Sequence, residues 1–474
     1  MKLLLISPSN DGRAKTTNGF KFSQLTLHVL ASLTPADLEV SAVDEDIDDI
    51  DYSQSADLVG ITCMTATARR SYQLSDTFRA RGAKVVLGGI HPTVLPEEAI
   101  EHADAVVIGE AEGCWGTLVE DFRRNRLQRF YRSDYPDLAR APLPRRDLGI
   151  DRTIFGAVGL EATRGCPYAC EFCSVSDFYG RRVRHRPVER VVEDVRRSGS
   201  KVFMITDDNV TGHPQYSRAL FKALAPLGIT WAGQSSIKLA QDRELLRLCR
   251  QSGCAVLFFG LESVSVRGMR DLRKSYNSVR ETEEAIRIIE DHGICFHPSI
   301  VLGLDTDTRA IFDDTLEFLG RNKIPSVTVN VLTPYPGTRL HQRLRAEKRL
   351  LSEDWTHYTH KCVVFRPKHM TPEELQEGYR YVMRDFYSLR GVARHLAWSL
   401  GKTPVTPKRI LFMLLWNLAH RKNAKEIGRE VECLLDPKPA SAPGLDGDAA
   451  NPPLCASSLS SDPAMRAPGQ RLRR

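Results

Sequence analysis

Short apolar runs alternate with amphipathic stretches along the first third of the chain. Each run has the length of a β-strand, and the stretches between the runs repeat apolar residues at the three-to-four-residue spacing of helices. Strands that alternate with helices predict a parallel, doubly wound sheet, so the fold class is α/β and this part is Rossmann-like. The predicted strands are 2–7, 38–43, 56–62, 83–89 and 103–109.

A second series of strands and helices follows. Six strands predict a partial (β/α)6 barrel rather than a closed eight-stranded one, and polar residues after each strand predict a site at their carboxyl ends. The predicted strands are 157–163, 201–206, 229–234, 255–261, 294–302 and 326–332.

These patterns predict five segments. A proline-rich stretch without periodicity indicates a linker, and a tail rich in Pro, Ala and Ser indicates disorder. The run 407–423 is apolar and flanked by Arg and Lys; a packed helix is favoured, with a membrane-surface helix as the alternative. The segments are a Rossmann-like domain over 1–140, a linker over 141–152, the barrel over 153–345, a small helical region over 346–433 and a disordered tail over 434–474.

Composition narrows the protein class. A hydrophobic fraction of 42% and a charged fraction of 26% are typical of soluble globular proteins. The net charge of +7 is modest, and basic and acidic residues are interspersed, so we expect no nucleic-acid partner. Because neither a signal peptide nor a transmembrane segment is evident, we expect a cytoplasmic protein whose eleven cysteines are mostly reduced.

Three of these cysteines, Cys166, Cys170 and Cys173, lie within eight residues, and no fourth follows at ligand spacing. Neighbouring thiolates in a reducing compartment bind soft metal centres. A zinc site would need a further pair, so zinc or an incidental cluster is the weaker alternative. Three cysteines can instead hold three irons of a [4Fe–4S] cluster and leave the fourth iron open to another ligand.

The C-x3-C-x2-C spacing, with an aromatic residue before the last cysteine, resembles the radical S-adenosylmethionine (SAM) superfamily. The resemblance implies that SAM binds the open iron and is cleaved reductively to a 5′-deoxyadenosyl radical. The stretches "ITDDN", "GLES" and "TPYPGT" resemble the strand-end motifs that bind SAM in that family. The implied SAM-binding residues are Phe172, Asp207, Asp208, Asn209, Glu262, Ser263, Pro334 and Tyr335.

The domain order resembles the cobalamin-binding class of radical SAM enzymes, which includes hopanoid methylases and the anaerobic Mg-protoporphyrin monomethyl ester cyclase type. "VVLGGIHPTVLPEEA" and "VVIGEAEGCW" look like the amino-terminal domain of that class. A D-x-H-x-x-G motif is missing, so no histidine is offered to replace the cobalamin base. The implied cobalamin-binding residues are Thr62, Met64, Thr65, Gly88, Gly89, His91, Gly109, Glu110 and Glu112.

The resemblance thus implies cobalamin-dependent methylation of an unactivated carbon. The alternatives are radical cyclisation, rearrangement or dehydration without methyl transfer and, outside enzymes, a metal-stabilised RNA-binding protein or a cobalamin sensor. Apolar helices after residue 390 suggest a hydrophobic or lipid-like small-molecule substrate. The implied electron donor is a protein such as flavodoxin or ferredoxin, and the sequence assigns no catalytic residue.

Overall fold

Two six-stranded parallel sheets dominate the computed structural model, which describes residues 1–10, 24–150, 157–265, 267–268, 279–400 and 407–430. The first sheet has the order β2-β1-β3-β4-β5-β6. The order reverses beside β1, and ligands of such sheets bind at the carboxyl ends of the strands near that point. The strands are β1 (Lys2–Ser7), β2 (Glu39–Asp44), β3 (Leu58–Thr62), β4 (Lys84–Gly88), β5 (Ala105–Gly109) and β6 (Phe130–Ser133).

Helices cover both faces of this sheet. In β1, Leu4 and Ile6 pack in one core and Leu3 and Leu5 in another, because successive side chains of a strand point to opposite faces. The helices are α1 (Leu25–Leu33), α2 (Ala68–Ala80), α3 (Ile90–Val94), α4 (Pro96–His102) and α5 (Trp115–Arg123).

The second sheet is the open half-barrel that the sequence predicts. Its order is β14-β13-β12-β11-β10-β7, and all its strands are parallel. A small antiparallel hairpin, β8 (Thr163–Arg164) with β9 (Arg184–His185), follows the first barrel strand. The barrel strands are β7 (Val158–Leu160), β10 (Val202–Ile205), β11 (Thr230–Ser235), β12 (Cys254–Glu262), β13 (Cys295–Leu302) and β14 (Thr328–Val331).

Helices of the barrel pack outside this sheet and bury one large apolar core against it. They are α6 (Val175–Phe178), α7 (Val188–Ser198), α8 (Pro214–Leu224), α9 (Arg243–Gln251), α10 (Val279–Asp291), α11 (Ala310–Arg321) and α12 (Arg339–Ala346).

Three helices complete the described chain: α13 (Pro372–Phe386), α14 (Leu389–Leu400) and α15 (Pro407–Glu430). Thr371 and Glu374 form a capping box at the start of α13, where Pro372 occupies the first turn. The predicted tail, 434–474, lies outside the described residues, as do positions 151 and 152 of the predicted linker. Within the described ranges, no helix is long and apolar enough to cross a membrane.

Candidate functional site

A cavity of about 220 Å³ opens at the carboxyl ends of β11 to β14. It brings together Phe172, Glu262 and Tyr335 from the predicted SAM-binding set. Barrel enzymes place their chemistry at this end of the strands. The other residues around it are Gln234, Phe258, Phe259, Gly260, Ser299, Val301, Asn330, Val331, Leu332, Thr333 and His360.

Glu262 reaches this cavity through an irregular strand end. Its φ of 66° lies in the left-handed region, which a non-glycine residue seldom adopts. The register of β12 against β13 shifts between Gly260 and Glu262. Such bulges re-aim a side chain at the end of a strand, and backbone strain of this kind clusters at functional sites.

His360 also lines this cavity, and no sequence motif predicted it. The Tyr335 hydroxyl donates to the Tyr358 carbonyl (3.1 Å), so the Nε2–H of His360 must donate to that hydroxyl (2.9 Å). Burial lowers the pKa of His360, so the imidazole is neutral near pH 7. No motif could have located it, because it lies 25 positions after Tyr335 in a segment without periodicity.

Four other predicted SAM-binding residues line neither this cavity nor a larger one at the carboxyl ends of β3, β4 and β5. They are Asp207, Asn209, Ser263 and Pro334. The Asp207 carboxylate accepts hydrogen bonds from Ala162 N (2.8 Å) and Thr163 Oγ1 (2.7 Å), which ties β10 to β8. Burial raises the pKa of Asp207 to about 7.

A larger cavity of about 570 Å³ lies at the carboxyl ends of β3, β4 and β5. Its walls are mostly apolar, and no histidine is among the described residues that line it. Seven of the predicted cobalamin-binding residues line it: Thr62, Met64, Gly88, Gly89, Gly109, Glu110 and Glu112.

The remaining two, Thr65 and His91, are buried and do not line this cavity. The ring of His91 contacts Thr65 Oγ1 (3.4 Å) through Nδ1 and Glu98 (3.2 Å) through Nε2. Glu98 also accepts a hydrogen bond from Trp355 Nε1 (3.0 Å). His91 therefore takes part in a contact between the first domain and the segment after the barrel.

Residues of the barrel form the opposite side of the larger cavity. They include Asp208 from the predicted SAM-binding set, and burial raises its pKa to about 6. The Gly165 amide donates to Asp208 Oδ2 at 3.3 Å. The barrel residues around this cavity are Glu161, Thr163, Arg164, Phe178, Tyr179, Thr206 and Asp208.

A buried network of three arginines and three glutamates joins the rim of this cavity to the β8–β9 hairpin, whose two strands flank the cysteine loop. Arg164 donates to three carboxylates, and its Nη1 lies 2.5 Å from Glu110 Oε2. Burial alone would raise the pKa of Glu161, but the charges of the arginines outweigh it and lower the pKa. The members are Arg164, Arg184, Arg186, Glu110, Glu112 and Glu161.

The cysteine loop is held from outside by α12. The Leu340 amide donates to the carbonyl of Glu171 (3.0 Å), and Arg343 Nε donates to the Glu171 carboxylate (2.7 Å). Between the cysteines, Phe172 reaches the smaller cavity. The loop is therefore fixed at the same end of the barrel where the smaller cavity opens.

The three cysteines are half-buried, reduced thiols on this loop. Burial raises the pKa of Cys173 to about 12, and the nearby thiols of Cys170 and Cys166 add to the rise. In the part of the chain that the structure describes, no three His, Cys, Asp or Glu side chains are grouped to hold a single metal ion. A [4Fe–4S] cluster takes each thiolate on a different iron, so this donor set fits a cluster better than zinc.

Two further polar residues of the barrel strands, Gln234 and His297, have different surroundings. Gln234 lines the smaller cavity. His297 is a core residue, since its ring nitrogens contact Ser326 Oγ (2.9 Å) and Thr328 Oγ1 (2.8 Å). Burial lowers the pKa of His297 to about 3.

Three family descriptions match consecutive parts of the chain. Residues 25–118 match the B12 binding domain, residues 160–319 match the Radical SAM superfamily, and residues 338–418 match a domain of unknown function, DUF4070. The matches follow the order of the two sheets and the helical region.

Characterised relatives extend over most of the chain. A bacteriochlorophyllide d C-8(2)-methyltransferase of Chlorobaculum tepidum is 32% identical, with 84% of this chain and 91% of that protein aligned. The hopanoid C-2 methylase of Rhodopseudomonas palustris is 27% identical over 69% of this chain and 65% of its own. The anaerobic magnesium-protoporphyrin IX monomethyl ester cyclase of Cereibacter sphaeroides is 24% identical over 72% and 61%.

A solved structure shares the whole fold. It is the radical SAM methyltransferase TsrM from Kitasatospora setae with cobalamin and a [4Fe–4S] cluster bound. The TM-score is 0.67 at 14% identity, over 90% of this chain and all of that one. Together with the two cavities and the cysteine loop, these similarities show that the chain belongs to the cobalamin-dependent radical SAM methyltransferases.

Proposed function

We propose that the chain methylates a carbon atom of a hydrophobic small molecule, with SAM in the smaller cavity and cobalamin in the larger one. One observation supports this arrangement above the others. The segment 163–179 contributes Phe172 to the smaller cavity, and Thr163, Arg164, Phe178 and Tyr179 to the larger one. The loop that carries the cysteines is therefore shared by both cavities.

In this proposal Cys166, Cys170 and Cys173 each hold one iron of the cluster. When bound, the cluster supplies the electron that cleaves SAM, and cobalamin carries the methyl group. The Glu262 carboxylate would accept hydrogen bonds from the ribose hydroxyls of SAM, because an ionised carboxylate is a strong acceptor. Phe172 and Tyr335 would pack against the bound SAM and keep water out of the cavity.

The described residues that line the larger cavity include no histidine, so none of them would offer an imidazole nitrogen to a bound cobalamin. Two glycines of that lining have positive φ, 109° at Gly89 and 88° at Gly109. A Cβ on Gly89 would lie 2.8 Å from Cys63 O, and one on Gly109 would collide with Ser133 O. These glycines are therefore needed by the protein's own backbone, whereas Gly88 leaves space at the cavity wall.

The relatives support a hydrophobic substrate. The two methylating relatives are named for bacteriochlorophyllide and hopanoid, which are mostly apolar molecules. We also propose a small iron–sulfur or flavin protein as electron donor, and a cytoplasmic location.

A pair of cavity-filling variants tests the two assignments against each other. Thr62→Trp places an indole in the larger cavity, and Ser299→Trp places one in the smaller cavity. We expect Thr62→Trp to lose hydroxocobalamin binding and keep SAM binding, and Ser299→Trp to show the reverse, as measured by equilibrium titration of the anaerobically reconstituted protein. Thr62→Ala and Ser299→Ala are the controls. The opposite pattern, or loss of neither ligand, would reject the assignments.

A further inference from the structure

The helix α15 packs against the protein on one face and is apolar on the opposite, exposed face. On one face Met413 and Asn417 are buried, and Asn417 Nδ2 donates to the carbonyl of Pro325 at 3.2 Å. On the other face lies the leucine stripe: Leu411, Leu415 and Leu418, which are 56%, 37% and 42% exposed. A helix that packs on one face is normally polar on the face turned to water, so the stripe requires an explanation.

The neighbouring helix adds to this apolar surface. Leu389 and Leu400, at the two ends of α14, are 65% and 55% exposed. His395 Nδ1 of α14 contacts Asn417 Oδ1 of α15 at 2.9 Å, so the two helices form one unit. Only one further exposed leucine, Leu351, occurs elsewhere among the described residues.

The same segment is strongly basic. Residues 389–425 contain eight Lys and Arg residues and no Asp or Glu, in a chain whose net charge is +7. Arg390, Arg394 and Lys422 are exposed. The expectation that basic and acidic residues are interspersed therefore fails for this segment.

The positive charge of the segment indicates which kind of surface covers the leucine stripe. A second copy of the chain would repel it, because a twofold interface brings the same patch of both subunits together. The chain beyond the described residues, 431–474, contains five acidic and five basic residues, so its charge does not complement the basic segment. An anionic lipid surface complements both properties, since its headgroups attract basic residues and its acyl boundary accepts leucines.

We propose that α14 and α15 form a peripheral docking surface for anionic membranes. The leucine stripe enters the boundary between headgroups and acyl chains, and the basic side chains contact the lipid phosphates. Since no described helix could cross a membrane, the contact is superficial. It would hold the chain where hydrophobic molecules collect, independently of which of them is methylated.

Vesicle co-sedimentation of the full chain tests the proposal, with phosphatidylcholine vesicles that contain or lack phosphatidylglycerol. We expect binding only to the phosphatidylglycerol vesicles, and we expect high salt to weaken it because ions screen surface charges. The triple variant Leu411→Gln, Leu415→Gln, Leu418→Gln should bind at least about tenfold more weakly, because apolar burial drives interfacial binding. Leu351→Gln, an exposed leucine outside the segment, should bind like the wild type.

A second triple variant tests the same surface in case the leucine variant fails to fold. Arg390→Gln, Arg394→Gln, Lys422→Gln keeps the leucines and should lose the preference for phosphatidylglycerol. Wild-type protein that does not bind phosphatidylglycerol vesicles, or either triple variant binding as tightly as the wild type, would overturn the proposal. So would a stable dimer in light scattering that the leucine substitutions dissociate.

Discussion

At the scale of single residues, Glu262 is predicted by a motif and lies at a cavity. The stretch "GLES" predicts it as a SAM-binding residue, and a bulge in the structure turns its side chain toward the smaller cavity. Its left-handed backbone is uncommon for a residue other than glycine, and such strain clusters at functional sites.

Replacing Glu262 by Gln keeps the shape of the side chain and removes its charge. We expect SAM binding to weaken by about 1.5–3 kcal/mol, the usual worth of a hydrogen bond to a charged group. Titration calorimetry of the reconstituted protein measures this, and its iron content should not change. Glu97→Gln, at an exposed position on α4, is the control. Equal SAM affinity in both variants would remove Glu262 from the site.

The cysteine assignment predicts a difference between two classes of thiol. Cys173→Ala should lower the iron content and abolish SAM cleavage, since each thiolate holds a separate iron. Cys249→Ala and Cys254→Ala remove fully buried core thiols and should leave iron binding intact. Iron analysis and the visible absorption of anaerobic protein give the comparison. A Cys173→Ala protein with full iron content would contradict the cluster assignment.

Motifs located some of the residues that line the smaller cavity and missed others. Phe172, Glu262 and Tyr335 lie in short sequence motifs. His360 enters the same cavity from an irregular segment that is fixed only by tertiary contacts, such as the bond from Val331 N to its carbonyl (2.7 Å). A sequence pattern records local geometry, so a residue delivered by distant packing leaves no trace in it.

At the scale of elements, strand alternation predicted both sheets almost completely. The five strands expected in the first sheet and the six in the barrel are present within one or two residues at most ends, the widest differences reaching three. The sixth strand of the first sheet, β6, was missed. It is a four-residue edge strand, "FYRS", with a single buried residue, so it lacks the apolar run that signals a strand.

Two adjacent glycines at the carboxyl end of β4, Gly88 and Gly89, allow a matched pair of substitutions. A Cβ at Gly88 would meet Val107 Cβ at 3.5 Å, an ordinary contact, so Gly88→Val should keep the sheet folded and obstruct the larger cavity. At Gly89 the positive φ and the 2.8 Å approach to Cys63 O make any side chain a strain on the fold. We expect Gly88→Val to lose hydroxocobalamin binding at an unchanged melting temperature, and Gly89→Ala to lower that temperature. Wild-type affinity in Gly88→Val would place cobalamin elsewhere.

The charge network predicts that replacing its central arginine, Arg164, strongly destabilises the fold. Arg164→Met would leave three buried carboxylates short of a partner, and we expect a loss of about 3–5 kcal/mol in the free energy of unfolding. Because the pKa of Glu161 is lowered from its ordinary 4.5, this contribution is complete above that pH and is lost as the pH falls through the folded-state value. Urea unfolding at neutral and acid pH measures both effects. Arg140→Met, at an exposed position, should cost little; equal losses in the two variants would contradict this account.

At the scale of the whole molecule, the loop with the cysteines lines the cavities of both sheets. The first sheet supplies a cavity without a described histidine, the barrel supplies a smaller cavity, and the cysteine segment lines both. The sequence predicted the two domains and their order. It could not predict the pairing of Glu110 with Arg164, because this contact joins residues 54 positions apart, one after β5 and the other in the β8–β9 hairpin.

Anaerobic turnover of SAM tests the central claim most directly. Wild-type protein, reconstituted with iron, sulfide and hydroxocobalamin and supplied with a reductant, should release both 5′-deoxyadenosine and S-adenosylhomocysteine, measured by mass spectrometry. Omitting cobalamin, or using Gly88→Val, should abolish the S-adenosylhomocysteine and leave 5′-deoxyadenosine, whereas Cys173→Ala should abolish the 5′-deoxyadenosine. S-adenosylhomocysteine formed at the wild-type rate without cobalamin, or 5′-deoxyadenosine formed by Cys173→Ala, would contradict the account.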